Sequence, residues 1–592
     1  MPDNRLTPEI RARLGQALIG FVAALALWAL AETWSVPSVP DMVRLGLLTF
    51  VLVQFGVSLA MSGTVGLLRS LVGALVLSLP ATALSLSAGS RFDLATDALD
   101  HANLVSTLST LIFVATPFLA VWLTDPRRWN DYGALFETAW EITTRFLLAW
   151  LFLAMVWLVL FLSDALLDLV KVGLVDIVMR TSWLAFGLSG AIVGFGLAVI
   201  YEVREKVAPF PLLRLLRLLV PVMLAIVSIF LIALPLRGLT GLFGDLSSAA
   251  ILLATASVAI GLISTAVDRD DAHAVQTAGI TRATRLLALL LPILVGLAAW
   301  ALAIRVSSYG WTPDRLLAVL VTGLLAVYAI GYAGLALVGA NWQARLRRCN
   351  VAFAILLVTL AAIWLTPVLD GNRISTASQV ARYETNTADS DELPIWEMAH
   401  DWGKAGDRGL EQLAAIAQTR SDQRMLRLIN RARRIDSRYQ FSEPEFLLSS
   451  EAVVPELMAT MPVAGAGAPL DASDLTDVPA HQLEAWHDGC KQVLPNGRPG
   501  CLFLRGAFSP IADADGQALV LFVDTDGVVR ITHLLRSSNG DLRLRVAGDR
   551  AEDRTETFPV DVLIQAQDGQ FSIVPSGQKA LAVAGRVIAP RD

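Results

Sequence analysis

Asp164 and Asp168 stand four residues apart in an apolar stretch, and Lys171 follows three residues later. On a helix this spacing puts both carboxylates on one face and brings Lys171 within reach of Asp168. Ionisable groups inside a bilayer are costly and often functional, so one reading is a proton or cation site. The other is a helix end leaving the bilayer, its charges already among the headgroups. A second constellation is Arg305, Tyr309, Gly310, Thr312, Pro313 and Arg315. Two guanidinium groups on one loop suit a lipid headgroup or an acidic patch of the chain's own polar tail. The alternative is a structural turn with snorkelling arginines. Thr312 is a favoured helix cap, Pro313 a favoured first helical residue, and Asp314 complements the helix dipole. A helix is therefore expected to begin at Pro313. Cys490 and Cys501 are the third constellation. Their pairing as a disulfide suits an oxidising compartment, against two unrelated buried thiols as the alternative.

Other chemistry is thin. His481 and His487 lie near Asp488 and Cys490, but their spacing matches no zinc pattern. The chain has no P-loop, His-Glu-x-x-His, Cys-x-x-Cys or Gly-x-Ser-x-Gly. No catalytic residue, cofactor or metal ligand is assigned, and an enzyme is the less favoured class. The formal net charge of -6 and the lack of a long basic stripe exclude an obvious nucleic-acid partner.

The elements that must position these residues are membrane helices. Hydrophobic residues make up 55% of the 592 and charged residues 17%, well below the roughly 25% charge of a soluble domain. A spanning helix needs about 20 apolar residues. Eleven segments qualify: Gln16–Trp34, Met42–Met61, Leu67–Leu86, Val105–Leu123, Phe146–Leu167, Ser182–Tyr201, Leu215–Leu236, Ser248–Val267, Leu286–Arg305, Leu316–Val338 and Val351–Leu369. With the N-terminus cytoplasmic, seventeen Lys and Arg before Asp370 fall on the cytoplasmic side and seven on the other, as the positive-inside rule requires. An odd span count then puts the polar remainder outside. Ala29-Leu30-Ala31 resembles a signal-peptidase site, but an uncleaved first helix is favoured. Gly187, Gly190 and Gly194 predict close helix packing in the sixth span. Glu141 and Arg145 are expected as an interfacial i,i+4 pair.

The stretch Arg305-Val306-Ser307-Ser308-Tyr309-Gly310-Trp311-Thr312-Pro313-Asp314-Arg315 resembles the signature of a bacterial membrane-protein family known as domain of unknown function 4153. Asp370-Gly371-Asn372-Arg373-Ile374-Ser375 resembles that family's exit from its last membrane helix. Trp402-Gly403-Lys404-Ala405-Gly406 and Leu410-Glu411-Gln412-Leu413 are similar to its juxtamembrane helices. Leu316 departs from the aromatic residue expected there. The resemblance covers roughly residues 15 to 440 and implies a multi-span bacterial protein. It brings no activity.

After the spans, apolar Leu410, Leu413, Ala414, Ile416, Leu426, Leu428 and Ile429 recur at near-helical spacing. Residues 461–480, rich in Ala, Gly, Pro and Asp, read as a linker. Beyond them, Asp526-Gly527, Asn539-Gly540 and Asp568-Gly569 separate apolar runs as hairpin turns do. The last pair would join a strand at Val562–Ile564 to one at Phe571–Val574. The expected architecture is an all-α polytopic membrane bundle (1–370), a juxtamembrane helical region (371–460), a linker (461–480) and a small antiparallel β domain (481–592). The favoured function is a bacterial inner-membrane protein anchoring a non-enzymatic periplasmic interaction module. Its partners would be the lipid bilayer and a periplasmic protein, lipid or cell-wall component. The alternatives are a transporter of a small solute, ion or lipid, and a membrane enzyme acting on lipid or glycan. In that enzyme Asp164, Asp168, Arg305 and Arg315 would line one outer cleft.

Overall fold

Among the described residues, eleven helices up to Leu365 are long and apolar enough to cross a membrane. They are α1 (Pro8–Glu32), α2 (Asp41–Val65), α3 (Leu67–Gly89), α4 (Leu104–Thr124), α5 (Tyr132–Asp168), α6 (Ser182–Glu202), α7 (Phe210–Arg237), α8 (Ser248–Val267), α9 (Ala278–Tyr309), α10 (Pro313–Leu337) and α11 (Trp342–Leu365). Each expected span falls on one of them. The computed structural model describes residues 8–36, 38–101, 103–168, 178–203, 210–237, 248–339, 341–435, 437–442, 447–465, 470–475, 478–509, 516–524, 526–536, 542–549, 557–575, 579–583 and 586–590. Lys171 and the Asn539-Gly540 turn lie outside them. The chain folds into two compact units, Met1–Phe441 and Ser442–Asp592.

In the first unit, contacts between loops give the helices alternating directions. On one face Arg13 at the start of α1 pairs with Glu202 at the end of α6. Arg217 pairs there with Asp268, and Arg347 with Asp271 at 2.8 Å. On the opposite face, here the second face, Asp41 accepts a bond from the Thr96 amide at 2.8 Å, and Arg91 donates to Thr366 O at 2.6 Å. One core joins α7 through α11 around Leu287, Leu291, Ala329 and Tyr332. Others join α2, α3 and α4 around Val57 and Met61, and α1, α2, α5 and α6 around Leu59 and Leu197.

The glycines of α6 do what their spacing predicts. A methyl group added at Gly190 would meet Ala24 Cβ at 2.6 Å, and one at Gly194 would meet Ala17 Cα at 3.0 Å. Only small residues allow α1 and α6 to approach so closely. Between α2 and α3, Ser78 donates to Gln54 Oε1 at 2.7 Å, Gln54 Nε2 donates to Leu71 O at 2.7 Å, and Thr49 and Ser85 hydroxyls lie 2.8 Å apart. These buried polar groups satisfy one another and hold the pair together.

Helices α12 (Gly371–Glu384), α13 (Ile395–His400), α14 (Gly403–Arg420) and α15 (Gln423–Arg434) belong to the same unit. Their core gathers Tyr383, Ile395, Met398, Leu410, Leu413, Met425 and Ile429. They sit on the second face, where Lys404 Nζ donates to Ser90 O at 3.1 Å and His101 faces Asp401 at 3.4 Å. The division between units at Phe441 thus cuts through the stretch 371–460 that reads as one helical region.

The second unit is a sheet with helices on both faces. Its helices are α16 (Leu447–Thr460), α17 (Ala480–Lys491) and α18 (Val560–Gln567). Its strands are β1 (Val463–Gly465), β2 (Cys501–Arg505), β3 (Gln517–Val523), β4 (Val529–Arg536), β5 (Leu542–Asp549), β6 (Phe571–Pro575), β7 (Lys579–Val583) and β8 (Arg586–Pro590), ordered β1-β2-β3-β4-β5-β8-β7-β6. Phe503, Val520 and Phe522 pack under α16 and α17 with Trp486. Leu502, Leu504, Leu519 and Leu521 pack on the other face under α18 with Val562 and Leu563. Burial on both sides explains the unbroken apolar run Ala518–Val523, since a half-exposed strand would alternate.

Two expectations are corrected. The pairings described between strands of residues 481–592 are antiparallel, as expected, and β1, from before them, adds a parallel pairing with β2. Residues 463–465, inside the expected linker, are that strand, and Ala472–Leu475 form a helical turn. Val562–Ile564 lie in α18 instead of a strand: a short apolar run fits either periodicity. Gly569, at φ +74°, ends that helix, its amide bonded to Ala566 O at 3.2 Å.

Cys490 and Cys501 are joined as a disulfide, Cα atoms 4.7 Å apart and separated by 11 residues. Closing so short a loop in the unfolded chain stabilises by about 2–3 kcal/mol. The Cys490→Ser, Cys501→Ser pair is expected to lower unit stability by that amount. Amide exchange of β2 and β3, with and without reductant, measures it; protection indifferent to both would contradict it.

Candidate functional site

The best-defined constellation is the loop between α9 and α10. As expected, the Thr312 hydroxyl accepts from the Arg315 amide at 3.3 Å, with Pro313 in the first turn. Gly310 has φ +71°, a left-handed conformation that a side chain disfavours. A methyl group there would also meet Arg382 Cδ at 2.6 Å and Gln379 Nε2 at 2.9 Å. Arg315 reaches back over its own turn, donating to Gly310 O at 2.7 Å and Tyr309 O at 3.1 Å. Its guanidinium lies 5.5 Å from the Tyr309 ring centre.

The loop is clasped by α12. Gln379 Nε2 donates to Tyr309 O at 3.0 Å and to Trp311 O at 2.8 Å. Arg382 donates to Ser308 O at 2.8 Å, and the Trp311 amide donates to Ser378 Oγ at 3.3 Å. Arg305, Arg315 and Arg382 lie close enough for their like charges to interact. The structure therefore brings together Tyr309, Gly310, Thr312, Pro313, Arg315 and their neighbour Arg305. The main-chain carbonyls left free at the end of α9 and in the turn are satisfied by α12 and Arg315.

Gln379→Leu is expected to leave the Trp311 carbonyl without its described donor and the Tyr309 carbonyl with Arg315 alone, loosening α12 by about 1–3 kcal/mol. Faster amide exchange across 371–384, with the spans unchanged, is the readout. Unchanged exchange would show that the clasp is incidental.

Asp164 is half-buried near the end of α5, and the Asp168 side chain lies outside the described residues. Sequence reasoning placed Arg145 at the interface. It is 2% exposed, donating to Ala60 O at 3.3 Å and Leu197 O at 3.4 Å, with its guanidinium 5.2 Å from the Tyr201 ring. A buried cation bonded to two helices braces α2, α5 and α6. Charge spacing along one helix could not show this, because both acceptors are main-chain atoms of other helices.

A polar cavity of about 310 Å³ lies on the second face, between the turn after α3 and helices α12 and α14. Sequence reading did not assemble it, since its walls come from residues 90–91, 370–377 and 404–412. No group of three or more His, Cys, Asp or Glu poised for a metal occurs among the described residues. No protein-family model, curated protein or solved structure matches this chain.

Proposed function

We propose that the chain is a multi-pass protein of the bacterial inner membrane that holds a non-enzymatic interaction module on the periplasmic side. The clasp carries this reading. The Arg305–Arg315 signature is taken up in main-chain bonds that hold α12 against the bundle. That arrangement suits a rigid anchor for the chain beyond α12. The orientation is supported by the seventeen-to-seven distribution of basic residues. The disulfide of the second unit suits an oxidising compartment. The resemblance to domain of unknown function 4153 supports a bacterial source. The partner would be a periplasmic protein, a lipid or a cell-wall component.

Two measurements test the proposal. An Asp526→Cys variant, at an exposed turn of the second unit, should react with a membrane-impermeant maleimide in spheroplasts, and Cys349 only after lysis. The reverse pattern would overturn the orientation. Deleting residues 442–592 should reproduce the phenotype of removing the whole protein while the membrane unit still accumulates. A truncated chain with full function would overturn the presentation role.

A further inference from the structure

The cavity on the second face is built for an anion. Arg91, Arg373, Lys404 and Arg408 line it, with Asp370 as the single carboxylate. Thr376 also lines it. This residue is 6% exposed, and its hydroxyl oxygen is buried with no hydrogen-bond partner among the described residues. A buried hydroxyl left unpaired costs free energy that a ligand oxygen would recover.

Two of the cations are fixed. Arg91 is held by Trp364 O at 3.3 Å and Thr366 O at 2.6 Å, leaving its buried Nε unpartnered. Burial pushes the Arg91 pKa below its ordinary value, opposed by nearby Asp370. Lys404 is held by Ser90 O at 3.1 Å. The other two are uncommitted: the Arg373 and Arg408 side chains are exposed, and neither guanidinium makes a hydrogen bond or ion pair with a described residue.

We propose that this cavity binds a phosphate group, as a monoester or diester. Planar guanidinium forks match phosphate oxygens bidentately, and Lys404 adds a point charge. A volume of about 310 Å³ is at the lower end for ligand sites, enough for a headgroup or a small phosphate compound. The site also lies beside the ends of two helices long and apolar enough to cross a membrane. Arg91 follows the end of a spanning helix by two residues, and Asp370 follows Leu365 by five. Both a membrane lipid and a soluble phosphate compound present this chemistry, and it is the same whichever side of the membrane the second face meets.

The test uses the full chain in a neutral detergent, titrated with orthophosphate, dihexanoyl phosphatidylglycerol and dihexanoyl phosphatidylcholine. At least one anionic probe should bind tenfold or more tightly than the zwitterionic lipid. The R373Q/R408Q variant should weaken that binding by about tenfold or more, the loss expected for charged hydrogen bonds. Neither guanidinium is bonded to a described residue, so the fold should persist. Arg345→Gln, an exposed arginine on the opposite face, should leave binding unchanged. Preference for phosphatidylglycerol assigns a lipid ligand, and preference for orthophosphate a soluble one. No preference over phosphatidylcholine, binding unaffected in R373Q/R408Q, or an equal loss in Arg345→Gln would each overturn the proposal.

Discussion

Replacing Asp474 with alanine is expected to cost the second unit about 3–5 kcal/mol, the range for removing one partner of a buried ion pair. Asp474 and Arg505 are paired with side chains only 13% and 4% exposed. Asp474 sits in the helical turn Ala472–Leu475, where it also accepts from the Asp471 amide at 2.8 Å. Arg505 ends β2, its guanidinium 5.3 Å from the Phe503 ring. Taking the carboxylate away removes the paired charge of a cation whose side chain is only 4% exposed, in a region from which water is largely excluded. The D474A/R505L double variant should therefore be less destabilised than Asp474→Ala alone, since apolar replacement of both partners removes the buried charge. Opening free energies from amide exchange of β2 and β3 in the full chain give both numbers. A single variant within about 0.5 kcal/mol of the parent, the usual range of a surface substitution, would contradict the argument.

Acidification should weaken the same unit through His533. This residue is 2% exposed on β4, facing Arg545 on β5 in register, with the Phe508 ring edge-on at 6.0 Å. Its Nε2 is buried with no partner among the described residues. Burial, and then the charge of Arg545, push its pKa from 6.5 down to about 4. In the folded state His533 stays neutral until the pH nears 4, whereas in the unfolded chain it takes up a proton below 6.5. The unfolded state therefore binds more protons between those limits, so stability falls as the pH falls. The contribution is complete above about pH 6.5 and lost by about pH 4. Its full size is about 3 kcal/mol, at 1.36 kcal/mol for each unit of displacement. Carboxylates elsewhere also respond to acid, so the decisive quantity is the difference between the parent and His533→Phe. The variant's opening free energy, corrected for intrinsic exchange rates, should change less between pH 7 and pH 4. Parallel curves would rule out His533 as the source.

Several features of the site were legible in the chain. Thr312, Pro313 and Asp314 specify a helix start, because a cap depends on residues three apart and on local dihedral preference. The close packing of α6 was readable for a similar reason: small residues four apart leave a groove wherever the helix lies. The Asp526-Gly527 turn does join β3 to β4, with Gly527 at φ +74°. The partners of these features were not legible. Nothing near Gly310 announces that Gln379 and Arg382 will close over it, seventy residues on. α18 was misread because Val562-Leu563-Ile564 carries too few residues to separate a helical period from a strand period. Its helical state is decided by the apolar sheet face that it covers.

By itself the sequence determined the eleven spans and the order of the helical and sheet regions. Hydropathy sums over about 20 neighbouring residues, and every such segment must satisfy its own backbone inside a bilayer, so the information is local. Tertiary structure alone decided that Arg145 would be buried between helices, that Asp474 would find Arg505, and that Arg91, Arg373, Lys404 and Arg408 would surround one cavity. Each of these depends on main-chain atoms and charges brought together by the path of the chain, across separations from 31 residues between Asp474 and Arg505 to 314 between Ser90 and Lys404. No window along the sequence contains both partners.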